Sequence, residues 1–530
     1  MIQSCWCSSS TFLPYSSDHT TPTTYIQCTV CSTVIQKTTL TSMDFLNFYQ
    51  SGFYHTQHQI NKNMLPYQGR RLHDYKVAES RLSNYKIPSK SLILDVGCGS
   101  GMFVLCAREH GIEAYGQDLW KDLENPYVYS SSLSSISFPT DYFDYVTCHD
   151  VLEHVENPNS FLSEISRIIK QNGFLILDYP MFFSEEGKHH WKAIEHLWML
   201  SPAQLQKILT KHGFEITKTT YPEWEGKRLA KIVLFCRKPP EQRTSILVPP
   251  GIGDSYWAII KLRDFCIKRR LGIPDVFIAG RGDRNISKEF VERFPFLHCS
   301  GYAEDFTTKD PIFNEAYLQD GRQLFENVHG MDFFLSANGI LRFGKNLTTE
   351  YLPEYETEWR PPMFFSLEER KKVLSYQHEY GPYSLFYLPV QSIYKRWFAD
   401  IDREYFVAYA KELRRKGRTP ILVGAGWDED PLRCSEVVNL IGKTTFSDLL
   451  SLLHGAQSVV GFPSGLTILS TVLRKPTFMW WNDYFDRRMW TNCCPHTENY
   501  VAWDSKQLLS PEDFIEQLLR IEAIPVSGTE

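Results

Sequence analysis

The 530-residue sequence lacks a basic excess, a long apolar run and a charged leader. It carries 56 Lys and Arg against 62 Asp and Glu, a formal net charge of −6, which argues against a general nucleic-acid-binding protein. No apolar run reaches the roughly 18 residues of a membrane helix, so no membrane span is predicted. The first forty residues hold only Asp18 and Lys37 as charges, and no secretory signal is predicted.

Cysteine is present but scattered. Thirteen cysteines occur along the chain, and most lie inside apolar segments, as Cys106, Cys236 and Cys266 do. Interpreted as free thiols, they fit a reducing compartment. A cytoplasmic location is therefore expected.

A glycine-rich turn follows the apolar stretch that begins LILDVGCGSGMF at Leu92. A dinucleotide fingerprint would need a glycine at Met102, and a phosphate-binding P-loop would need a lysine, which is absent. The carboxylate of Asp95 would repel a diphosphate but would suit an amino group or ribose hydroxyls. S-adenosylmethionine (SAM) offers both without a phosphate. The alternative is a tight strand-to-helix turn that binds no ligand, because such turns need glycine anyway.

A second carboxylate supports a nucleoside ligand. Asp118 ends the next apolar segment, about twenty residues beyond the glycine turn. An acid at that position, at the end of the second strand, can bind both ribose hydroxyls.

The stretch from Ile136 to Pro180, which contains DVLEHV from Asp150, completes a pattern that resembles the class I SAM-dependent methyltransferases. The resemblance covers roughly residues 45 to 237. It implies SAM as cofactor and a candidate base, His154, near the methyl acceptor. The cofactor-binding residues that it implies are Asp95, Gly97, Gly99, Gly101, Asp118 and Asp150.

Two close cysteine pairs precede this region, Cys5 with Cys7 and Cys28 with Cys31. The arrangement resembles small zinc ribbons ahead of some bacterial methyltransferase domains. Four thiolates can complete a tetrahedral structural zinc site. The glycines that often help the turns are replaced by Ser8 and Ser32. The alternative is a Ser/Thr-rich tail with incidental cysteines.

Strand and helix patterns alternate in both halves of the chain, which predicts an α/β fold with parallel sheets. The proline-bearing stretch from Arg237 to Thr244 reads as a linker. We expect a Rossmann-like class I methyltransferase domain followed by a GT-B-like pair of Rossmann-like lobes. The predicted segments are a zinc-ribbon-like segment (1–40), the methyltransferase domain (41–239), an amino-terminal lobe (240–383) and a carboxyl-terminal nucleotide-sugar lobe (384–530).

The second half resembles the family 9, heptosyltransferase-type glycosyltransferases, over roughly residues 245 to 525. Its Gly251–Asp254 turn is similar to the family's loop, which implies Asp254 as a general base. The alternative for Asp254 is the N-cap of a helix beginning at Ser255. The resemblance further implies nucleotide-sugar contacts at Lys395, Ser464, Gly465, Leu466 and Thr467. The sequence departs from the family at Pro463 and Ile468, where an acid and a histidine are usual.

Together these features predict a bifunctional enzyme that joins SAM-dependent methyl transfer to nucleotide-sugar-dependent glycosyl transfer. The expected partners are a nucleotide sugar and a small-molecule or glycan acceptor, such as a surface polysaccharide, with no nucleic acid. One alternative keeps only the methyltransferase active and makes the second half a non-catalytic glycan-binding or scaffold module. Another, methylation of RNA or protein, is disfavoured by the acidic charge.

Overall fold

The chain divides into two compact units, Met1–Gln242 and Arg243–Glu530. The computed structural model describes residues 4–17, 20–37, 42–50, 67–120, 125–192, 195–224, 227–280, 287–304, 324–328, 330–335, 354–388, 400–426, 428, 430–462, 464–481, 500–504 and 510–522. Among these residues no helix combines the length and apolar character needed to cross a membrane.

The first unit is organised around a seven-stranded sheet. The described strands of the whole unit are β1 (Phe12–Ser17), β2 (Thr20–Cys28), β3 (Val34–Gln36), β4 (Leu92–Val96), β5 (Glu113–Asp118), β6 (Val128–Ser130), β7 (Phe143–His149), β8 (Ile169–Pro180), β9 (Trp198–Met199), β10 (Glu215–Thr220), β11 (Glu223–Trp224), β12 (Lys227–Arg228) and β13 (Lys231–Arg237). The large sheet has the order β10-β13-β8-β7-β4-β5-β6. Only its pairs β10–β13 and β13–β8 are antiparallel. The order reverses at β4, which makes the carboxyl end of β4 the crevice where such sheets bind ligands.

Helices connect these strands. They are α1 (Ser42–Gln50), α2 (Tyr67–Tyr85), α3 (Met102–Glu109), α4 (Leu133–Ile136), α5 (Pro158–Ile168) and α6 (Pro202–Lys211), with a 3-10 turn at Glu186–His190. Local sequence sets the helix starts, because Asn157 accepts a hydrogen bond from the Ser160 N–H and Ser201 forms a reciprocal capping box with Gln204. Apolar side chains of α2, α3 and β4 pack into one buried cluster beside the glycine turn.

The amino-terminal strands form a separate small sheet. Its order is β1-β2-β3-β9, so the sheet incorporates a short strand that lies beyond residue 190. Side chains of two helices hold this sheet: Asn159 and Lys211 donate to the carbonyl of Trp6, and Gln204 donates to that of Cys31. The cysteine-bearing segment is thereby packed against α5 and α6.

The second unit contains two further sheets. Its strands are β14 (Ser245–Val248), β15 (Asp275–Ala279), β16 (His298–Ala303), β17 (Leu324–Val328), β18 (Met331–Leu335), β19 (Tyr383–Tyr387), β20 (Thr419–Val423), β21 (Val438–Asn439), β22 (Ser458–Gly461), β23 (Thr477–Trp481) and β24 (Tyr500–Asp504). The sheet orders are β16-β15-β14-β18-β17 and β21-β20-β19-β22-β23-β24. All pairs are parallel except the hairpin β17–β18.

The helices of the second unit are α7 (Ile252–Lys268), α8 (Ser287–Val291), α9 (Leu367–Tyr380), α10 (Asp400–Arg415), α11 (Phe446–Gly455), α12 (Gly465–Val472) and α13 (Pro511–Glu522). The N-cap of α7 is Gly251. The alternative that Asp254 caps a helix beginning at Ser255 is therefore wrong, since the chain already turns helical at Ile252. One buried cluster, which includes Tyr256, Leu385 and Leu466, joins both sheets of this unit.

Candidate active site

The glycine turn lies directly after β4. Gly97, Gly99 and Gly101 have φ angles of 67°, 55° and 73°, all in the left-handed region. A Cβ on Gly97 would lie 2.3 Å from Cγ2 of Val151, and a Cβ on Gly101 would lie 2.4 Å from Nδ2 of Asn125. The glycines therefore serve close packing as well as backbone conformation.

Two carboxylates flank this turn at the ends of neighbouring parallel strands. Asp118, at the end of β5, accepts hydrogen bonds from the backbone N–H groups of Gly99 (2.8 Å) and Trp120 (3.0 Å). Asp95, in β4, is 3% exposed and accepts from Thr147 Oγ1 at 2.7 Å, with His149 Nδ1 3.2 Å away. The structure thus brings the glycine turn and both predicted acids together.

Asp150 belongs to a polar network beside the turn. Its carboxylate pairs with Lys231, and its backbone N–H donates to Asp178 Oδ1 at 2.7 Å. Arg81 completes the network, 2.9 Å from Asp178 Oδ2. Burial acts to raise the pKa of Asp150, but the ammonium of Lys231 outweighs it and holds that pKa well below its usual range. Asp150 is therefore ionised at neutral pH.

Sequence reasoning missed Arg81, Asp178 and Lys231, together with Tyr85, whose hydroxyl lies 2.9 Å from His149 Nε2. A signal existed for Asp178, a lone acid within the apolar strand FLILDYP. Arg81 and Tyr85 are four residues apart and so share one helix face. Nothing in the sequence alone pairs that face with β8 and β13.

A cavity of about 430 Å³ opens beside this network. It lies between α2 and the antiparallel strands β8, β13 and β10 of the sheet. Its walls include Arg81, Tyr85, Asp178, Lys218, Lys231 and Phe235. Three aromatic rings, those of Tyr85, Tyr221 and Phe235, and several charged groups converge there, as in sites for polar organic molecules.

His154 follows the Asp150 segment and lies at a second cluster. Its Nδ1 is 2.7 Å from the carbonyl of Glu195, and its ring centroid is 4.6 Å from that of His196. Burial lowers the pKa of His196 to about 3. Burial also raises the pKa of Glu153 well above its usual range.

The four amino-terminal cysteines also come together. The Sγ atoms of Cys5 and Cys31 are 3.4 Å apart, and those of Cys7 and Cys28 are 3.6 Å apart. All four Sγ atoms lie within 4.8 Å of one another. Ser8 and Ser32 take left-handed φ angles of 70° and 59° at the turns where glycine was expected. The serines thus adopt the glycine conformation.

In the second unit, the Gly251–Asp254 turn meets the start of α12. A Cβ on Gly465 would lie 3.0 Å from Ile252 Cβ, and a Cβ on Gly253 would lie 3.3 Å from Ile468 Cδ1. Asp254 sits in the first turn of α7. Ser464 and Thr467 bond each other, with the Ser464 N–H donating to Thr467 Oγ1 at 2.9 Å. Leu466 is buried, while Lys395 and Pro463 lie outside the described residues.

Comparison with known proteins agrees with the geometry of the first unit. Residues 67–219 match the family model described as a methyltransferase domain, Methyltransf_23. A ubiquinone biosynthesis O-methyltransferase of Photobacterium profundum is 28% identical over 181 residues, which cover 31% of this chain and 70% of that protein. A counterpart from Rickettsia felis is 29% identical over 188 residues, covering 30% and 71%.

Solved methyltransferases were also found. A SAM-dependent methyltransferase from Archaeoglobus fulgidus shares 20% identity with a TM-score of 0.30, covering 35% of this chain and all (100%) of that one. Magnesium protoporphyrin IX methyltransferase from Synechocystis, with bound S-adenosylhomocysteine, shares 17% identity with a TM-score of 0.29, covering 36% and 96%. The family match, the curated relatives and the flanked glycine turn together identify residues 67–219 as a class I SAM-dependent methyltransferase domain.

Proposed function

We propose that the first unit transfers the methyl group of SAM to an oxygen atom of a small-molecule or glycan acceptor. The observation that carries this is the pair of carboxylates, Asp95 and Asp118, on either side of the glycine turn. Asp118 faces the backbone of the turn, where ribose hydroxyls can replace its present N–H partner. The names of the O-methyltransferase relatives support oxygen as the acceptor atom.

In this reaction the protein itself forms no covalent bond with the substrates. The methyl carbon passes in line from sulfur to oxygen, so correct positioning supplies much of the rate. The cavity beside Arg81 and Lys231 is the acceptor pocket in this proposal. Its cationic groups suit an acceptor with oxygen-rich or acidic substituents.

The test is binding of S-adenosylhomocysteine by calorimetry. Asp118→Asn should weaken binding at least about tenfold, since a hydrogen bond to a charged group is worth about 1.5–3 kcal/mol. Glu113→Gln is the matched control, because Glu113 is an exposed acid at the other end of β5. Equal affinities for parent and Asp118→Asn would contradict the proposal.

The four amino-terminal cysteines are proposed to hold a structural zinc ion. A tetrahedral site with Zn–S bonds of about 2.3 Å has sulfur atoms about 3.8 Å apart, close to the arrangement in this chain. Burial raises the pKa of Cys28, but N–H groups of Cys31 and Val30 lower it to about 6, which favours the thiolate. Zinc would stabilise a segment too short to fold on its own core.

Metal analysis of the purified chain tests this site. Cys28→Ser should lose about one zinc per chain relative to the parent. Cys434→Ser is the control, since Cys434 is a free thiol in the second unit. Equal zinc content in Cys28→Ser and the parent would exclude the site.

The second unit is proposed to be a nucleotide-sugar-dependent glycosyltransferase with two GT-B-like lobes. Support comes from its two largely parallel sheets and from the contact between the Gly251–Asp254 turn and the start of α12. Free backbone N–H groups at the start of α12 favour a diphosphate. Asp254 would act as base toward the acceptor hydroxyl, and the two activities would share a glycan product.

One observation favours the alternative, a non-catalytic glycan-binding module. Ile468 is 2% exposed, and it packs toward Gly253 at the place where the resembling family carries a histidine. An apolar side chain offers a sugar nucleotide no hydrogen bond.

Thermal unfolding with a panel of nucleoside diphosphates and their sugars separates the two functions. A ligand at 100 times its dissociation constant should add about 2.7 kcal/mol to the unit that binds it. Sugar transfer that Asp254→Asn abolishes, and that Asp264→Asn on the same helix retains, would support the glycosyltransferase. Stabilisation by glycans alone would favour the binding module.

A further inference from the structure

Glu153, His154 and His196 form a cluster apart from the glycine turn and its two carboxylates, with Glu153 and His196 buried and His154 partly buried. Glu153 and His154 follow β7, whereas His196 follows the 3-10 turn at Glu186–His190. The carbonyl of Glu153 accepts hydrogen bonds from the N–H groups of Leu197 (2.7 Å) and Trp198 (3.3 Å). The backbone therefore holds the two segments side by side.

Both imidazoles are oriented by backbone carbonyls. His154 Nδ1 lies 2.7 Å from the carbonyl oxygen of Glu195, and His196 Nδ1 lies 2.5 Å from that of His190. A carbonyl only accepts, so in each of these contacts Nδ1 donates, and the Tyr49 hydroxyl also lies 3.1 Å from His154 Nδ1. With Nδ1 engaged in this way, Nε2 is the ring atom suited to bind a metal. Histidines that bind metals are oriented in this way by a second hydrogen bond.

The carboxyl group of Glu153 has no hydrogen-bond partner among the described residues. Its side chain is 0% exposed, and neither oxygen has a hydrogen-bond partner in that part of the chain. His154 Nε2 lies 3.9 Å from Glu153 Oε1, too far for a hydrogen bond. A buried carboxyl group without a hydrogen-bond partner either stays protonated or ionises beside a cation.

We propose that Glu153, His154 and His196 bind a divalent cation through one carboxylate oxygen and two Nε2 atoms. One donor atom from each residue lies within 4.8 Å of the others, so small side-chain movements bring all three to bonding distances of about 2.0–2.2 Å. Two imidazoles and one carboxylate suit a first-row ion such as Mn²⁺, Fe²⁺ or Zn²⁺ better than Ca²⁺. Three protein ligands leave at least one position open.

The open coordination position gives the ion a role in methyl transfer, and this role rests on the proposed O-methylation. Val151, in the same segment as the cluster, packs over Gly97 of the cofactor turn, so the ion would lie beside the methyl donor. The acceptor hydroxyl binds the ion and loses its proton to solvent, because a bound cation lowers the pKa of an oxygen ligand. The oxygen then forms the O–C bond while the C–S electron pair returns to sulfur, leaving neutral S-adenosylhomocysteine.

Manganese binding to the full chain tests the site directly. The chain is dialysed against a chelator and titrated with MnCl₂, and free Mn²⁺ is followed by electron paramagnetic resonance. Mn²⁺ is chosen because thiolates prefer softer ions, so the cysteine cluster does not compete. We expect Glu153→Gln and His196→Gln each to weaken binding at least about tenfold. Glu156→Gln, an exposed acid three residues from Glu153, should match the parent.

S-adenosylhomocysteine binding, measured on the same samples, checks that each variant is folded. A parent chain that binds S-adenosylhomocysteine but no Mn²⁺ would overturn the ion site and leave methyl transfer standing. The same conclusion would follow if Glu153→Gln and His196→Gln bound Mn²⁺ like the parent. Mn²⁺ binding that both variants lose, in a parent that does not bind S-adenosylhomocysteine, would support the ion site and contradict the proposed function instead.

Discussion

At the scale of the residue, position decides what a side chain contributes. Asp95 and Asp118 occupy equivalent ends of two neighbouring strands, yet their partners differ. Asp95 is held by Thr147 and His149, whereas Asp118 bonds the glycine turn itself. In the proposed function, Asp118 exchanges its N–H partner for the ribose hydroxyls, while Asp95 keeps its bond to Thr147.

The glycines of the turn allow a residue-scale prediction. Gly97→Ala should lower both stability and S-adenosylhomocysteine affinity more than Gly99→Ala. Both positions carry the left-handed backbone, which costs an alanine about 1–2 kcal/mol. Only at Gly97 would the new Cβ lie 2.3 Å from Val151, whereas Gly99 has nothing within 4 Å. Urea unfolding and calorimetry measure the difference, and equal losses would show that the contact with Val151 relaxes freely.

At the scale of the element, short capping sequences set where helices begin. Thr445 and Asp448 form a reciprocal capping box at the start of α11, as Ser366 and Glu369 do for α9. The Asp448 carboxylate also lies 2.6 Å from Lys372 Nζ on α9. The Asp448 side chain thus caps the start of α11 and also links α11 to α9.

This pairing predicts a pH-dependent contribution to stability. Burial acts to raise the pKa of Asp448, but the bonds from Lys372 and Thr445 outweigh it and lower the pKa to about 2, from 3.8. Because the pKa of Asp448 is lower in the folded state than in the unfolded state, the ionised carboxylate stabilises the folded state. This contribution is complete above about pH 3.8 and disappears as pH falls toward 2. Asp448→Asn should cost about 1–2 kcal/mol at neutral pH and progressively less in that window.

Asp513→Asn is the matched control for this prediction. Ser510 caps α13: its Oγ accepts from the Asp513 N–H and donates to the Asp513 carboxylate. Among the described residues this carboxylate makes no ion pair. Its substitution should cost less at neutral pH. Urea unfolding between pH 7 and pH 2 compares the two variants, and a constant difference between parent and Asp448→Asn across the window would contradict the linkage.

At the scale of the whole molecule, the chain forms two compact units that meet in sequence at Gln242 and Arg243. Lys238 anchors the carboxyl-terminal end of the first unit. Its buried ammonium donates to Asp141 (2.8 Å) and to the carbonyls of Ser166 (2.8 Å) and Ile169 (2.9 Å). Lys238 therefore ties the end of β13 to α5, to the start of β8 and to the segment before β7.

Truncation tests this arrangement. A fragment of residues 1–242 should fold and bind S-adenosylhomocysteine within about twofold of the full chain. A fragment of residues 1–237 should be less stable by about 3–5 kcal/mol, because it leaves the Asp141 carboxylate buried without its partner. Thermal unfolding and calorimetry compare the fragments. Loss of binding in the longer fragment would show that the first unit depends on the second.

The sequence predicted those parts of the site that are local in the chain. The glycine turn and Asp118 are recognisable because a strand, a tight turn and a second strand follow one another within about thirty residues. Arg81, Asp178 and Lys231 come from three distant elements, so no spacing connects them. His196 was one of several histidines until the structure placed it beside Glu153 and His154.

The sequence by itself determined the alternation of strands and helices and the glycine turn after β4. These depend on backbone conformation and on hydrogen bonds between near neighbours. Only the tertiary structure decided the strand order, the polar network around Asp150 and the Glu153 cluster. The physical reason is that burial and long-range pairing set the charge of a side chain and its hydrogen-bond partners. Burial and pairing both depend on which distant segments pack against that side chain.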